Sequence, residues 1–65
     1  MNAQQIKLNE GVIRHNRAEI AKIELELQNP RIRKVEQRKQ IIASLQMQIE
    51  QAEQLLAEVV NYERA

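Results

Sequence analysis

Apolar residues recur along this chain at helical spacing, and the recurrence is broken strongly only once. With Ile6 at heptad position a, Ile13, Ile20 and Leu27 also fall at a and Ile23 at d. Val12 and Leu8 widen that stripe on the d side, and the remaining d sites hold Asn9 and Asn16. In the second half Val35, Ile42, Ile49 and Leu56 fall at a, and Leu45, Ala52 and Val59 at d. Ile41, Leu55 and Tyr62 fall at g, next to d on the helical wheel. The second stripe therefore spans a, d and g, which is wider than a two-stranded seam needs. That extra width argues for more than two helices in the final assembly.

The break is Asn29-Pro30. Proline lacks a backbone donor and pushes the residue before it out of the α region, yet it suits the first position of a new helix, for which asparagine is a good N-cap. The pattern predicts helix 1 over about 3–28, a turn at 29–30 and helix 2 over about 30–63. Folding back at this turn pairs Leu27 with Val35, Ile20 with Ile42, Ile13 with Ile49 and Ile6 with Leu56. Each arm is then about 40 Å long at a rise of 1.5 Å per residue. The competing arrangement is one continuous, kinked helix. Gly11 falls on the far face of helix 1, where it costs roughly 1 kcal/mol relative to alanine, so fraying is expected over the first ten residues.

Composition narrows the fold. The chain has 65 residues, one Gly, one Pro and a charged share of 29%, and it lacks Phe, Trp, Cys and Asp. Beginning at Met1, it reads as a complete small product with one domain over 1–65. A lone hairpin has a single contact line and no enclosed interior, and so short a chain without disulfide or metal needs unusual packing or self-association. The expected fold is all-α: an antiparallel two-helix hairpin that self-associates into a dimeric four-helix bundle. Its assembly core is Ile13, Ile20, Ile23, Leu27, Val35, Ile42, Leu45, Ile49, Leu56 and Val59. Asn16, at a seam position, is a candidate for fixing dimer register, since a seam asparagine specifies assembly at a cost in stability. The alternative is a place at the solvent edge, which is the reading taken for Asn9. Lack of cysteine fits a cytoplasmic protein, and no apolar run approaches the roughly 20 residues that cross a bilayer.

Charge is distributed unevenly. Arg31, Arg33, Lys34, Arg38 and Lys39 crowd the hairpin tip against Glu36 alone, whereas Glu50, Glu53, Glu58 and Glu63 dominate beyond residue 40 against Arg64. Helix 2 is thus basic first and acidic later, the reverse of what the helix dipole favours. Head-to-tail packing of two hairpins, an acidic partner surface and nucleic-acid phosphate would each account for it, as would a solvated charged face. The basic tip, with Tyr62 at the other end, is the expected partner contact. The dimer-of-hairpins architecture resembles that of the plasmid regulator Rop, which binds paired RNA loops. The likeness is one of architecture; no shared motif accompanies it and it transfers no residue. Net charge is only +1, and no aromatic side chain interleaves the cluster to stack on bases.

Chemistry-bearing residues are few. His15 is the only histidine, one turn from Glu19, and no cysteine or second histidine is present to complete a metal site. Ser44 lies off the seam with nothing to pair it with His15 as a nucleophile and base. No cofactor, metal, small-molecule substrate or membrane partner is expected, and the chain is not expected to be an enzyme. Gly11, Ala18, Ala21 and Leu25 line the back of helix 1 and Met47 the outside of helix 2; alanine is a strong helix former and scattered surface apolar residues are ordinary. The expected function is a small protein-interaction module, an adaptor, inhibitor or regulator of the kind common among phage and plasmid accessory proteins, acting as a homodimer. The alternatives are a Rop-like nucleic-acid-binding regulator using the tip, and a structural coiled-coil subunit of a larger assembly.

Overall fold

The computed structural model describes the backbone of residues 2–64 and the side chains of residues 2–59. It is all-helical: α1 (Ala3–Leu27, 25 residues) and α2 (Val35–Arg64, 30 residues) pack against each other as a hairpin. The two helices make a rod 52 Å long that encloses no large, fully buried side chain among the described residues.

α1 is helical from Ala3, through the segment where Gly11 weakens helix propensity. Asn2 caps α1 with a capping box: its Oδ1 accepts from the Gln5 backbone N–H at 2.8 Å, and Gln5 Oε1 accepts from the Asn2 N–H at 3.0 Å. Two orphan donors of the first turn are thus satisfied reciprocally, which offsets the weak propensity of Gly11.

The connection differs from expectation. Helix 2 begins at Val35, not at Pro30, and seven residues rather than two join the helices. Asn29 and Pro30 do start a turn, but it is a β-turn that stops. Ile32 N–H donates to the Asn29 carbonyl at 3.1 Å, and the Arg31 N–H donates to Asn29 Oδ1 at 3.0 Å. Proline's fixed φ suits position i+1 of such a turn as well as it suits a helix start, and an asparagine side chain that bonds the backbone two residues on is an Asx-turn. What ends the turn is Lys34, whose φ of 59° lies in the left-handed region. The chain reverses there, and the Lys34 carbonyl then accepts the Arg38 N–H at 3.1 Å as α2 begins. At the other side, Gln28 and Asn29 donate to the Leu25 and Glu26 carbonyls, tightening the last turn of α1.

The seam follows the heptad. In α1 every a and d position from Ile6 to Leu27 is buried or half-buried, Asn9 and Asn16 included; in α2 the same holds from Val35 to Val59. Ile49 and Ala52 are the best-covered apolar residues, and Leu27 and Val35 flank the connection as the pairing of that layer requires. Two cross-helix hydrogen bonds, Asn16 to Gln48 at 2.9 Å and Arg38 to Glu26 at 3.2 Å, check the register. Moving from the first to the second advances ten residues along α1 and retreats ten along α2, so the helices run antiparallel without slip between them.

Candidate interaction surface

The hairpin has two flanks, and they differ in chemistry. In an antiparallel pair the e positions of both helices border one flank and the g positions the other. Arg17 and Glu53, both at e, close the first flank with an ion pair of 2.9 Å. The two other cross-helix bonds, Asn16 to Gln48 and Arg38 to Glu26, each join a d residue to a g residue and so mark the second flank.

Along its middle the e flank is polar, with Glu10, Arg17 and Glu24 on α1 and Lys39, Gln46 and Glu53 on α2. Shallow open grooves among the described residues lie on this side, one lined by Glu10, Ile13, Arg14 and Arg17, another by Glu50, Glu53, Gln54 and Ala57. Both are open at the surface of a rod and lack the enclosure a small-molecule site needs.

The g flank carries the apolar surplus. Ile41 is 49% exposed and Leu55 43%, on the g line of α2, and Val12 and Leu8 extend the same flank on α1. The hairpin leaves the third column of the α2 stripe about half open. Leu25 and Met47 are also exposed, but at f, on opposite outer faces where the apolar neighbours at helical spacing are alanines: Ala18 and Ala21 beside Leu25, Ala43 beside Met47.

The ten expected core residues all lie on the seam. Asn16 is only 4% exposed and is covered by α2 of its own chain, where Nδ2 bonds Gln48. Within the hairpin it therefore faces α2 rather than solvent. Asn9 Nδ2 donates to the Gln5 carbonyl at 3.0 Å and the residue is half-buried, so it too is not at an open edge.

The basic tip is not one uniform contact patch. Arg38 occupies a d position: Nε bonds Glu26 at 3.2 Å, and an Nη donates to the Arg33 carbonyl. It braces the connection to α1 and is half-buried there. Reading the tip as a charge cluster hid this, although the heptad itself assigns Arg38 to d. Lys39 sits at a loose 3.8 Å from Glu36. Arg31, Arg33 and Lys34 are exposed on the connection, while Ile32 between them is half-buried and anchors it. Tyr62 lies outside the described side chains.

The brace changes the meaning of the inverted charge order. The first turn of α2 sits beside the last turn of α1, where free carbonyls and Glu26 make the potential negative, so a basic side chain there is favoured by α1 even though it is disfavoured by α2. Among the described residues no group of His, Asp and Glu is placed to hold a metal ion, and no helix is long and apolar enough to cross a membrane. Comparison of the chain with protein-family models, with curated proteins and with solved structures finds no match.

Proposed function

We propose that the chain is a small, non-catalytic protein-interaction module of the cytoplasm that works as a homodimer of hairpins, a four-helix bundle, and acts by stoichiometric binding as an adaptor, inhibitor or regulator. The observation that carries this reading is the one-sided placement of Leu8, Val12, Ile41 and Leu55 on the g flank. A solvated surface would scatter such residues, whereas four-helix packing needs a third apolar column beside a and d. The thin core of the single hairpin, with only Ile49 and Ala52 buried among the described apolar residues, supports the same conclusion.

Solution mass by light scattering tests it. A dimer is expected, with Ile41→Lys and Leu55→Lys shifting the protein to monomer. Leu25→Lys and Met47→Lys, at still more exposed apolar sites on other faces, are expected to leave the mass unchanged. A helical monomer in the unaltered protein would overturn the reading and make the g flank the site of a different protein.

The second reading, a nucleic-acid-binding regulator, is favoured by the exposure of Arg31, Arg33 and Lys34 together on the connection. Three phosphate contacts to duplex RNA would give a log–log salt slope of about −2 to −3. Arg31→Glu with Arg33→Glu should abolish such binding. Arg38 is unsuited to that experiment because reversing it breaks the brace.

A further inference from the structure

We propose that two copies of the chain pair antiparallel through their g flanks, about a twofold axis that passes beside Gln48. The proposal rests on the homodimer reading and supplies its geometry.

The first support is the spacing on α2. Lys34, Ile41, Gln48 and Leu55 follow one another every seven residues along the g line. Gln48 stands midway between the two exposed aliphatic residues. An antiparallel second copy centred there sets Ile41 against Leu55 of the second copy, and Leu55 against its Ile41. One patch thus serves both sides of an isologous contact. The arrangement covers both side chains that the hairpin leaves half open.

The second support is that α1 has its centre at the same level. Asn16 is hydrogen-bonded to Gln48, so it lies beside the same axis. On the g line of α1, Val12 and Glu19 stand on either side of Asn16. When the α2 helices pair about Gln48, the α1 helices pair about Asn16. Val12 then meets the methylene stem of Glu19 of the second copy, whose carboxylate reaches solvent at the rim. Both helices reach self-complementarity in one placement, without a slip between them.

Charge decides against the parallel alternative. Stacking hairpins tip on tip would also bring Leu8, Val12 and Leu55 together, so apolar contact alone does not choose. It would, however, set Arg31, Arg33 and Lys34 of both copies side by side, within the roughly 8–10 Å over which salt leaves repulsion unscreened. The antiparallel arrangement instead brings each basic tip level with the last turn of the second α2. Free carbonyls and the negative end of the helix dipole lie there, and Glu58 stands one turn and a half earlier. The basic-to-acidic order of α2 is then complementary between copies as well as between α2 and α1.

The chain contains no cysteine, so single cysteines report the geometry cleanly. In an antiparallel dimer Gln48→Cys places two thiols across the axis, within reach of one another, and oxidation should convert most of the protein to a covalent dimer. Met47→Cys, one residue away on the outer face, should stay largely uncrosslinked. Gln48→Cys also removes the bond to Asn16. Should it unfold the hairpin by circular dichroism, Ser44→Cys mixed with Gln51→Cys replaces it, because these exposed positions face each other across the same axis. The mixture should then cross-link and neither variant alone should do so efficiently. If light scattering gives a dimer but these pairs fail to cross-link, or Met47→Cys cross-links instead, the antiparallel g-flank geometry is overturned while the homodimer reading stands. A monomer at every concentration overturns both.

Discussion

Asn16 donates its side-chain N–H to Oε1 of Gln48 at 2.9 Å, joining residues 32 positions apart at the most closely packed level of the hairpin. The bond satisfies a polar group that the seam would otherwise bury at a loss, since an unpaired buried amide costs about 1–3 kcal/mol. Gln48 is exposed on its outer side and can return to water when its partner is removed. Asn16→Ala should therefore destabilise by about 1–2 kcal/mol, by loss of packing and of the bond. Asn16→Leu should match or exceed the native stability while widening the distribution of solution masses, because a seam asparagine trades stability for a single register. Thermal melts followed by circular dichroism, paired with light scattering, check both halves. A leucine variant that melts well below the alanine variant would show that the site selects asparagine for shape.

Arg38 and Glu26 make the corresponding link at the closed end. The pair is partly covered, with side-chain exposures of 26% and 36%, and Arg38 also binds the Arg33 carbonyl. It should thus exceed a fully exposed pair, for which about 0–1 kcal/mol is typical. Arg38→Ala is expected to lower stability to urea by about 1–2 kcal/mol, and Glu26→Ala by less, because the bond to Arg33 survives in the second case. Arg31→Ala, exposed on the connection, should stay within about 0.5 kcal/mol of the parent. Equal losses at Arg31 and Arg38 would contradict the division of the tip into brace and free surface.

The seam was legible because its signal is redundant. Ile6, Ile13, Ile20 and Leu27 repeat every seven residues, as do Val35, Ile42, Ile49 and Leu56, and such a repeat admits one buried face. It also placed Asn16 at d, though it could not say which helix would cover that residue. The connection was less legible because its signals are ambiguous. Asn29-Pro30 fits both a helix start and a β-turn, and the choice was made four residues later by Lys34, a residue type with no marked preference for positive φ. The α1 cap has a signal in the sequence, since Asn2 and Gln5 have the spacing of a capping box. The place of Arg38 is less legible because five basic residues crowd together in sequence, whereas the helical period sets one of them at a seam position.

Gly11 offers a direct gain. A Cβ built there meets nothing within 4 Å, and the residue lies inside α1, where glycine is weaker than alanine by about 1 kcal/mol. Gly11→Ala should raise stability by about 0.5–1 kcal/mol, with the solution mass unchanged, as measured by urea unfolding of both proteins at one concentration. A loss instead would mean that another chain approaches this face closely enough to exclude a methyl group, and would move the search for the interface to the outer side of α1.

Lys34 is the position where the chain stores strain. Its φ of 59° puts Cβ close to the following carbonyl oxygen, a conformation that costs an L-residue roughly 1–2 kcal/mol and glycine almost nothing. The surrounding structure holds it there because α1 ends at Leu27 and α2 must start antiparallel at Val35, with Ile32 anchored between. Lys34→Gly should therefore stabilise the hairpin by about 0.5–1 kcal/mol, the relief being partly offset by the greater freedom of glycine in the unfolded chain. Lys34→Val should destabilise by more than that, since branching at Cβ makes the left-handed region still less accessible. Urea midpoints for the three proteins should fall in the order Gly, Lys, Val. If Val equals Lys, residue 34 has an ordinary negative φ, the connection is built differently, and the Arg38 brace would have to be reconsidered with it.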